Sequence, residues 1–447
     1  MAGTALAVAV LAVGIVPATA AGIVRDAETE ALIQDYARPI FKAAGIRATG
    51  VKILVVNDDS FNAFVSSADR MFVNTGAIIR AETPNELIGV IAHETGHLAH
   101  GDLGSIRQRV QSTQNSVLAA ALIGFGVAIA GAASGVKGLG DLGQGIAAAS
   151  MQIGQRSILA YVRGQEAAAD RSAMDFLVKT GQSGNGLLNM MKRLSSESLV
   201  SARSVDPYTQ THPMPAERVR SLEALAAADK FANVKDSAAL KRRHDLVRAK
   251  LIGFTWSPER VNREYPMTDN SLPAKYARAI ALYRRGSLVN VVKAVDGLIA
   301  ADPSDAYFYE LKGQALLEGG KPNEALAPLK RAVELAPRAS LIRILYGQAL
   351  VAVGGAANMD AAIEVLNAAL QTDHDMPVGY RALARAYASK SDIAMAELAT
   401  AEGLFVDGDF PEARTHAKRA QVKLKAGSPG WLRAEDIVSY KPPIVRQ

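Results

Sequence analysis

The chain contains no cysteine. Disulfide frameworks and cysteine-ligated metal sites are thereby excluded, so any metal must be held by histidine and carboxylate. Aromatic residues make up only 6% of the 447 positions, and no basic stretch is interleaved with them. The stacking platforms of nucleic-acid binders are missing, and no nucleic-acid partner is expected. Charge of one sign is also scarce: 50 basic against 44 acidic residues leave a net +6, which reads as a solvated, mildly basic surface. What is abundant is apolar residue, at 49%, too much for global disorder. The length exceeds one ordinary core, so two domains are expected.

Ala5 to Val16 is a short apolar run followed by Pro17 and Ala18-Thr19-Ala20. It is too short to span a bilayer and has a small-residue end, so a signal peptide over 1–20 and export to the periplasm are expected, although no Lys or Arg precedes the run. Asp26 to Ala44 has helical periodicity, and Val51–Val56, Asn62–Val65 and Met71–Asn74 read as short strands of a small sheet. Thr83-Pro84-Asn85-Glu86 is a strong helix start, with Thr at the N-cap, Pro in the first turn and Glu three residues on. Gly101 after His100 is a natural stop. A second long helix is expected over Ile158–Lys179, ended by Gly181.

The C-terminal part has an internal period. Asp302-Pro303 and Ala336-Pro337 are 34 residues apart, as are Gly313-Gln314-Ala315 and Gly347-Gln348-Ala349. That is the period of tetratricopeptide repeats, helix pairs that bury each other's apolar faces. Glu264-Tyr265-Pro266 and Ser271-Leu272-Pro273 mark a linker before them. The expected organisation is a signal peptide at 1–20, a first domain at 21–265 with an insert at 103–156, and helical repeats at 266–430.

The chemistry centres on His93-Glu94-Thr95-Gly96-His97. On a helix, residues four apart differ by only about 40° of rotation, so both imidazoles face one way and can hold one metal ion. Glu94 stands beside them, suited to take a proton from a metal-bound water. A hydrolytic zinc needs a third protein ligand, and Glu166 in Glu-Ala-Ala-Ala-Asp is the leading candidate. Asp170, one turn on, would hold a ligand imidazole by its other ring nitrogen. His100 reads as a bystander at the helix end, and His244, His374 and His416 as structural or solvated. His212, in Thr-His-Pro-Met-Pro-Ala-Glu-Arg, has three readings: an oxyanion donor, a fourth ligand that keeps the site latent, or a solvated loop histidine.

His-Glu-x-x-His, then Glu-x-x-x-Asp, then His-Pro-x-x-x-Glu-Arg resembles the metallopeptidase family of the CAAX prenyl proteases and their bacterial heat-shock relatives. Met71-Phe72-Val73-Asn74-Thr75-Gly76 resembles the family's edge strand ahead of the zinc helix. The added repeats resemble its periplasmic branch, the beta-barrel assembly-enhancing proteases. The resemblance covers about Asn62 to Arg220 and the architecture of the rest. It implies a mainly α fold, a zincin-like domain with a small β-sheet followed by a tetratricopeptide-repeat solenoid. It implies one Zn²⁺ per chain at His93, His97 and Glu166, Glu94 as base, His212 as a regulatory or transition-state residue, and Val73 and Asn74 as substrate contacts. The implied work is digestion of unfolded or misassembled proteins in outer-membrane quality control, with the repeats docking the assembly machinery.

Ser116 to Val136 carries no charge. A single crossing there would put His93 and Glu166 on opposite sides of a membrane. The segment must therefore span as a hairpin, lie on a surface or pack on the protein, and an amphiphilic flap with peripheral membrane contact over 116–154 is the favoured reading. The rival to the enzyme is a chaperone or scaffold whose zinc site is latent.

Overall fold

The computed structural model describes residues 22–102, 104, 105, 108, 160–200, 212 and 216–442. The signal peptide expected over 1–20, the flap over 116–154 and the prolines beside His212 lie outside the described residues. Among the described residues, no helix is long and apolar enough to cross a membrane. The chain divides into two compact units. One holds Tyr36–Asp236 with the segment before Arg25; the other holds Arg25–Asp35 and Ser237–Gln447.

In the first unit β1 (Ile23–Val24), β2 (Lys52–Val56), β3 (Ala63–Ser67) and β4 (Arg70–Asn74) form one sheet in the order β1-β2-β4-β3. Alternation in β2 and β4 sends Ile53, Val55, Met71 and Val73 into the core, and the parallel register sets Ile53 opposite Met71 and Val55 opposite Val73. Helix α1 (Ala27–Ala43) lies between β1 and β2 in sequence, and α2 (Thr75–Arg80) follows β4 directly.

Helix α3 (Pro84–His100) carries the metal motif. Thr83 caps it by accepting from the Glu86 amide, Pro84 occupies its first turn, and Gly101 ends it in the left-handed region at φ +65°. Apart from Asn85, every residue from Pro84 to Gly96 is buried. Helix α4, described over 160–179, and α5 (Asn185–Val200) complete the surroundings of α3, and α6 (Ala216–Ala227) packs on α5.

The second unit is all helix: α7 (Ala238–Thr255), α8 (Pro258–Glu264), α9 (Leu272–Arg284), α10 (Leu288–Ala301), α11 (Ala306–Glu318), α12 (Pro322–Leu335), α13 (Ser340–Val353), α14 (Ala356–Thr372), α15 (Pro377–Ser389), α16 (Ile393–Val406), α17 (Phe410–Lys423) and α18 (Pro429–Ser439). From α9 onward each packs on the next. The 34-residue period has a steric cause. A Cβ on Gly313 would fall 2.3 Å from Leu329 of the paired helix, and one on Gly347 would fall 2.5 Å from Leu366. Glycine at each position lets the two helices of a pair close on one another.

Two features of this unit lay outside the sequence reading. The turn Glu264–Pro266, expected to separate the domains, falls inside the unit, because α7 packs along α9 with Leu246 in one cluster with Tyr276 and Ile280. The N-terminal segment Arg25–Asp35 also belongs here. Lys250 of α7 lies 3.4 Å from Glu28, the Tyr276 hydroxyl donates to Glu28 at 3.0 Å, and Arg25 pairs with Asp373. Burial pushes the Glu28 carboxyl up to about 8 despite Lys250.

Candidate metal centre

Two consecutive turns of α3 bring His93 and His97 onto one face, with their Nε2 atoms 3.1 Å apart. Helix α4 crosses close enough for Glu166 to reach both. Its Oε1 is 3.3 Å from His97 Nε2 and its Oε2 is 3.4 Å from His93 Nε2. The approach depends on Gly96: a Cβ there would meet Ala169 Cα and its carbonyl oxygen at 3.0 Å. Gly96→Ala is accordingly expected to push α4 out by a few tenths of an ångström and weaken metal binding by about tenfold, measured by competition with a chromogenic chelator. Unaltered affinity in a folded Gly96→Ala protein would show that this contact is not what seats Glu166.

His212 joins the same cluster. Its Nδ1 lies 3.1 and 3.2 Å from the two Glu166 oxygens and 3.4 Å from His93 Nε2. One ligand atom from each of His93, His97, Glu166 and His212 falls within 4.8 Å of the others. The structure thus brings together all four residues singled out in the sequence as ligands or gate. Glu94 is 1% exposed, and its Oε1 has no hydrogen-bond partner; it lies 3.6 Å from His212 Nε2.

Around the four atoms lies a ring of groups that orient them. Asp170 Oδ1 is 3.0 Å from His93 Nδ1, off the line of an ideal N–H bond. Asp102 Oδ2 is 2.7 Å from His97 Nδ1. A carboxylate can only accept, so His97 Nδ1 carries the proton and Nε2 turns its lone pair to the centre. Gln165 donates to Asp102 Oδ1 at 2.9 Å and holds it in place. Arg218 grips Asp170 through Nε and Nη2, both at 2.8 Å, and meets Glu166 Oε2 through Nη1 at 2.7 Å. One buried guanidinium thereby sets the distance between two carboxylates a turn apart on α4.

The sequence reading assigned no role to Asp102, Gln165 or Arg218. Arg218 stood in a motif already singled out, and that was its only signal. Asp102 follows the glycine stop of α3, and nothing local marks it. His100, expected as a bystander, hydrogen-bonds Ser172 at 3.1 Å away from the cluster. The expectation for Val73 and Asn74 needs correction. β4 is paired on both sides, by β2 and β3, so it is an interior strand and not an edge. Val73 is fully buried and Asn74 donates to Ser60 at 3.1 Å, so neither strand edge nor side chain is open to a substrate.

The electrostatics favour added positive charge. Burial alone would lower an imidazole, yet Asp102, Glu166 and Glu94 raise His97 to about 10, and Asp170 and Glu166 raise His93. Burial would raise the carboxyls, yet His212, His93 and His97 hold Glu166 far below the usual carboxylate range, and Arg218 and His93 bring Asp170 down to about 2. The carboxylates that favour a proton on these rings equally favour a metal cation in its place, with Nε2 of His93 and His97 and the Glu166 oxygens as its donors. Their separations match the ~3.3 Å kept by ligand atoms at about 2.0–2.1 Å from one tetrahedral zinc. The residues present therefore fit a divalent metal.

Comparison with known proteins agrees with this geometry. Residues 25–226 match peptidase family M48. The chain is 24% identical over 400 residues to a protein of Yersinia pestis named beta-barrel assembly-enhancing protease, covering 88% of this chain and 78% of that one. It is 23% identical over 396 residues to the protein of the same name from Escherichia coli (strain K12), covering 85% and 76%. A solved TPR protein with an unusual peptide-binding site, YrrB, is 19% identical and covers 39% of this chain and 91% of its own, but its TM-score of 0.33 is too low to support an argument. The segment that matches the family contains every residue of the converging cluster, and the protein is a metallopeptidase.

Proposed function

We propose that the protein is a zinc-dependent endopeptidase of the bacterial periplasm that removes misfolded or misassembled proteins, with its helical unit docking partners of outer-membrane assembly. The observation that carries the enzymatic part is the convergence of His93, His97 and Glu166 with the buried Glu94 carboxylate beside them, whose Oε1 accepts no hydrogen bond among the described residues. The relatives' printed names support the setting in β-barrel assembly.

His93, His97 and Glu166 would hold the zinc, which when bound supplies Lewis acidity towards water and the scissile carbonyl. The chain's own groups do the rest. Glu94 accepts the proton of the attacking water and returns it to the leaving amine. Asp102 fixes the tautomer of His97, Asp170 faces the outer nitrogen of His93, and Arg218 holds Glu166 facing inward. An extended substrate would add to the sheet at β3, the one of its two edge strands that packs against α3.

A second reading, a chaperone or scaffold with a latent metal site, is favoured by one observation. His212 completes four donors, and closed four-ligand sites are the structural kind. Loss of casein cleavage in Glu94→Gln at full zinc occupancy selects the enzyme over the scaffold.

The metal itself is directly testable. Purified protein should contain about one Zn²⁺ per chain, removable by chelator. His93→Ala combined with His97→Ala should abolish binding, and full occupancy in that double variant, read by mass spectrometry of the metal, would contradict the ligand assignment.

A further inference from the structure

A groove of about 580 Å³ lies in the second unit between α8, α9 and α10. Its lining includes Lys275, Arg278, Arg285 and Lys293 and, among the described residues, no acidic side chain. The four cations are not equivalent. Arg285 is already paired with Glu259 at 3.0 Å. Arg278 donates to the carbonyl oxygens of Tyr265, Pro266 and Asp269, which hold it in place without neutralising it. The Asp269 carboxylate, its acidic neighbour, is turned to the Ser271 amide at 2.8 Å. Lys275 and Lys293 are exposed, and among the described residues no ion pair engages either.

Between these charges the groove is apolar. Leu282 and Ala294 form its floor, and Met267, 77% exposed, stands at its mouth. An exposed methionine beside unpaired lysines is poor design for a face that meets only water, and it suits a ligand that brings both carboxylate and hydrocarbon. The volume is that of a few side chains with their backbone. A nucleic acid would need aromatic stacking partners, and none lines the groove. A membrane surface would meet a convex basic face, not a groove with an apolar floor.

We propose that this groove docks an acidic, partly apolar peptide segment of a partner protein, its carboxylates taken by Lys275 and Lys293 and an apolar side chain seated on Leu282 and Ala294. The proposal specifies the docking role of the helical unit and rests on it. The groove belongs to the second unit and the metal centre to the first.

The test uses the full chain carrying Glu94→Gln, so that probes are not digested, and fluorescein-labelled decapeptides alternating Glu with Leu, Gln with Leu, or Lys with Leu. By fluorescence anisotropy the Glu/Leu peptide should bind at least about tenfold more tightly than the Gln/Leu peptide, and less tightly as salt rises. Lys275→Glu with Lys293→Glu should invert the preference towards the Lys/Leu peptide, an outcome a misfolded protein cannot produce. Equal binding of all three peptides, no binding, or an unchanged preference in the double variant overturns the proposal. Binding to phosphatidylglycerol vesicles that needs both lysines, without peptide preference, overturns it in favour of a membrane surface. Retention of the same chain on isolated outer membranes is measured alongside. Retention without peptide binding removes this groove but leaves docking by the helical unit standing; absence of both removes the two together.

Discussion

Glu94→Gln is expected to keep the fold and the full zinc content and to lose about 10³-fold in casein cleavage. The substitution is nearly isosteric, and Glu94 is not one of the four clustered donors, so the metal loses no ligand. What is lost is the proton acceptor. Glu94 is buried, and its Oε1 lies 3.6 Å from Nε2 of His212, a member of the cluster. An amide at that position can orient a water but cannot take its proton. The ratio of cleavage rates at matched zinc content measures the base contribution alone. A Glu94→Gln protein that digests casein near the wild-type rate would remove Glu94 as base and leave the latent-scaffold reading in possession of the site.

His212→Ala is expected to raise both casein cleavage and self-cleavage, by about tenfold if the open form is a minor fraction of the resting protein. In the structure His212 touches Glu166 and His93 through Nδ1, which places it among the donors and not at a distance suited to a developing oxyanion alone. A fourth donor competes with the catalytic water for the open position that a hydrolytic zinc requires. Removing it leaves three ligands and a vacant coordination site. An oxyanion donor behaves oppositely, and its loss lowers turnover by about 10²-fold. Reduced cleavage in both assays would therefore establish the oxyanion role over the gate, and unchanged rates would take His212 out of the mechanism. Under the proposed function, such restraint spares other proteins when no substrate is present.

The two predictions draw on different kinds of legibility. Glu94 and its flanking histidines were readable because helical periodicity is local. Once Thr83-Pro84-Asn85-Glu86 starts a helix and Gly101 stops it, the facing of positions 93, 94 and 97 follows from 3.6 residues per turn. Glu166 was readable by elimination, since a chain without cysteine has few third ligands to offer, and the 34-residue period was readable because the same helix pair recurs.

Tertiary structure decided the rest, because the partners are far apart in sequence or, for Asp102 and His97, are joined by a turn that local periodicity does not reveal. Whether β4 is an edge depends on which strand lies on its other side, and the parallel pairing with β2 made it interior. Asp102 meets His97 because the chain turns back at Gly101, and Arg218 meets Asp170 and Glu166 from 48 and 52 residues further along the chain. The first turns of α1 carry an ordinary amphipathic pattern, yet Arg25–Asp35 belongs with the repeats because a buried lysine on α7 collects its acids. By itself the sequence determined the helix start and stop around the metal motif, the 34-residue repeat and the identity of the donor residues. The gathering of those donors around one point, the groups that orient them and the membership of the N-terminal segment were decided only by folding, because Coulomb and hydrogen-bond terms act on distance in space and carry no signature of separation along the chain.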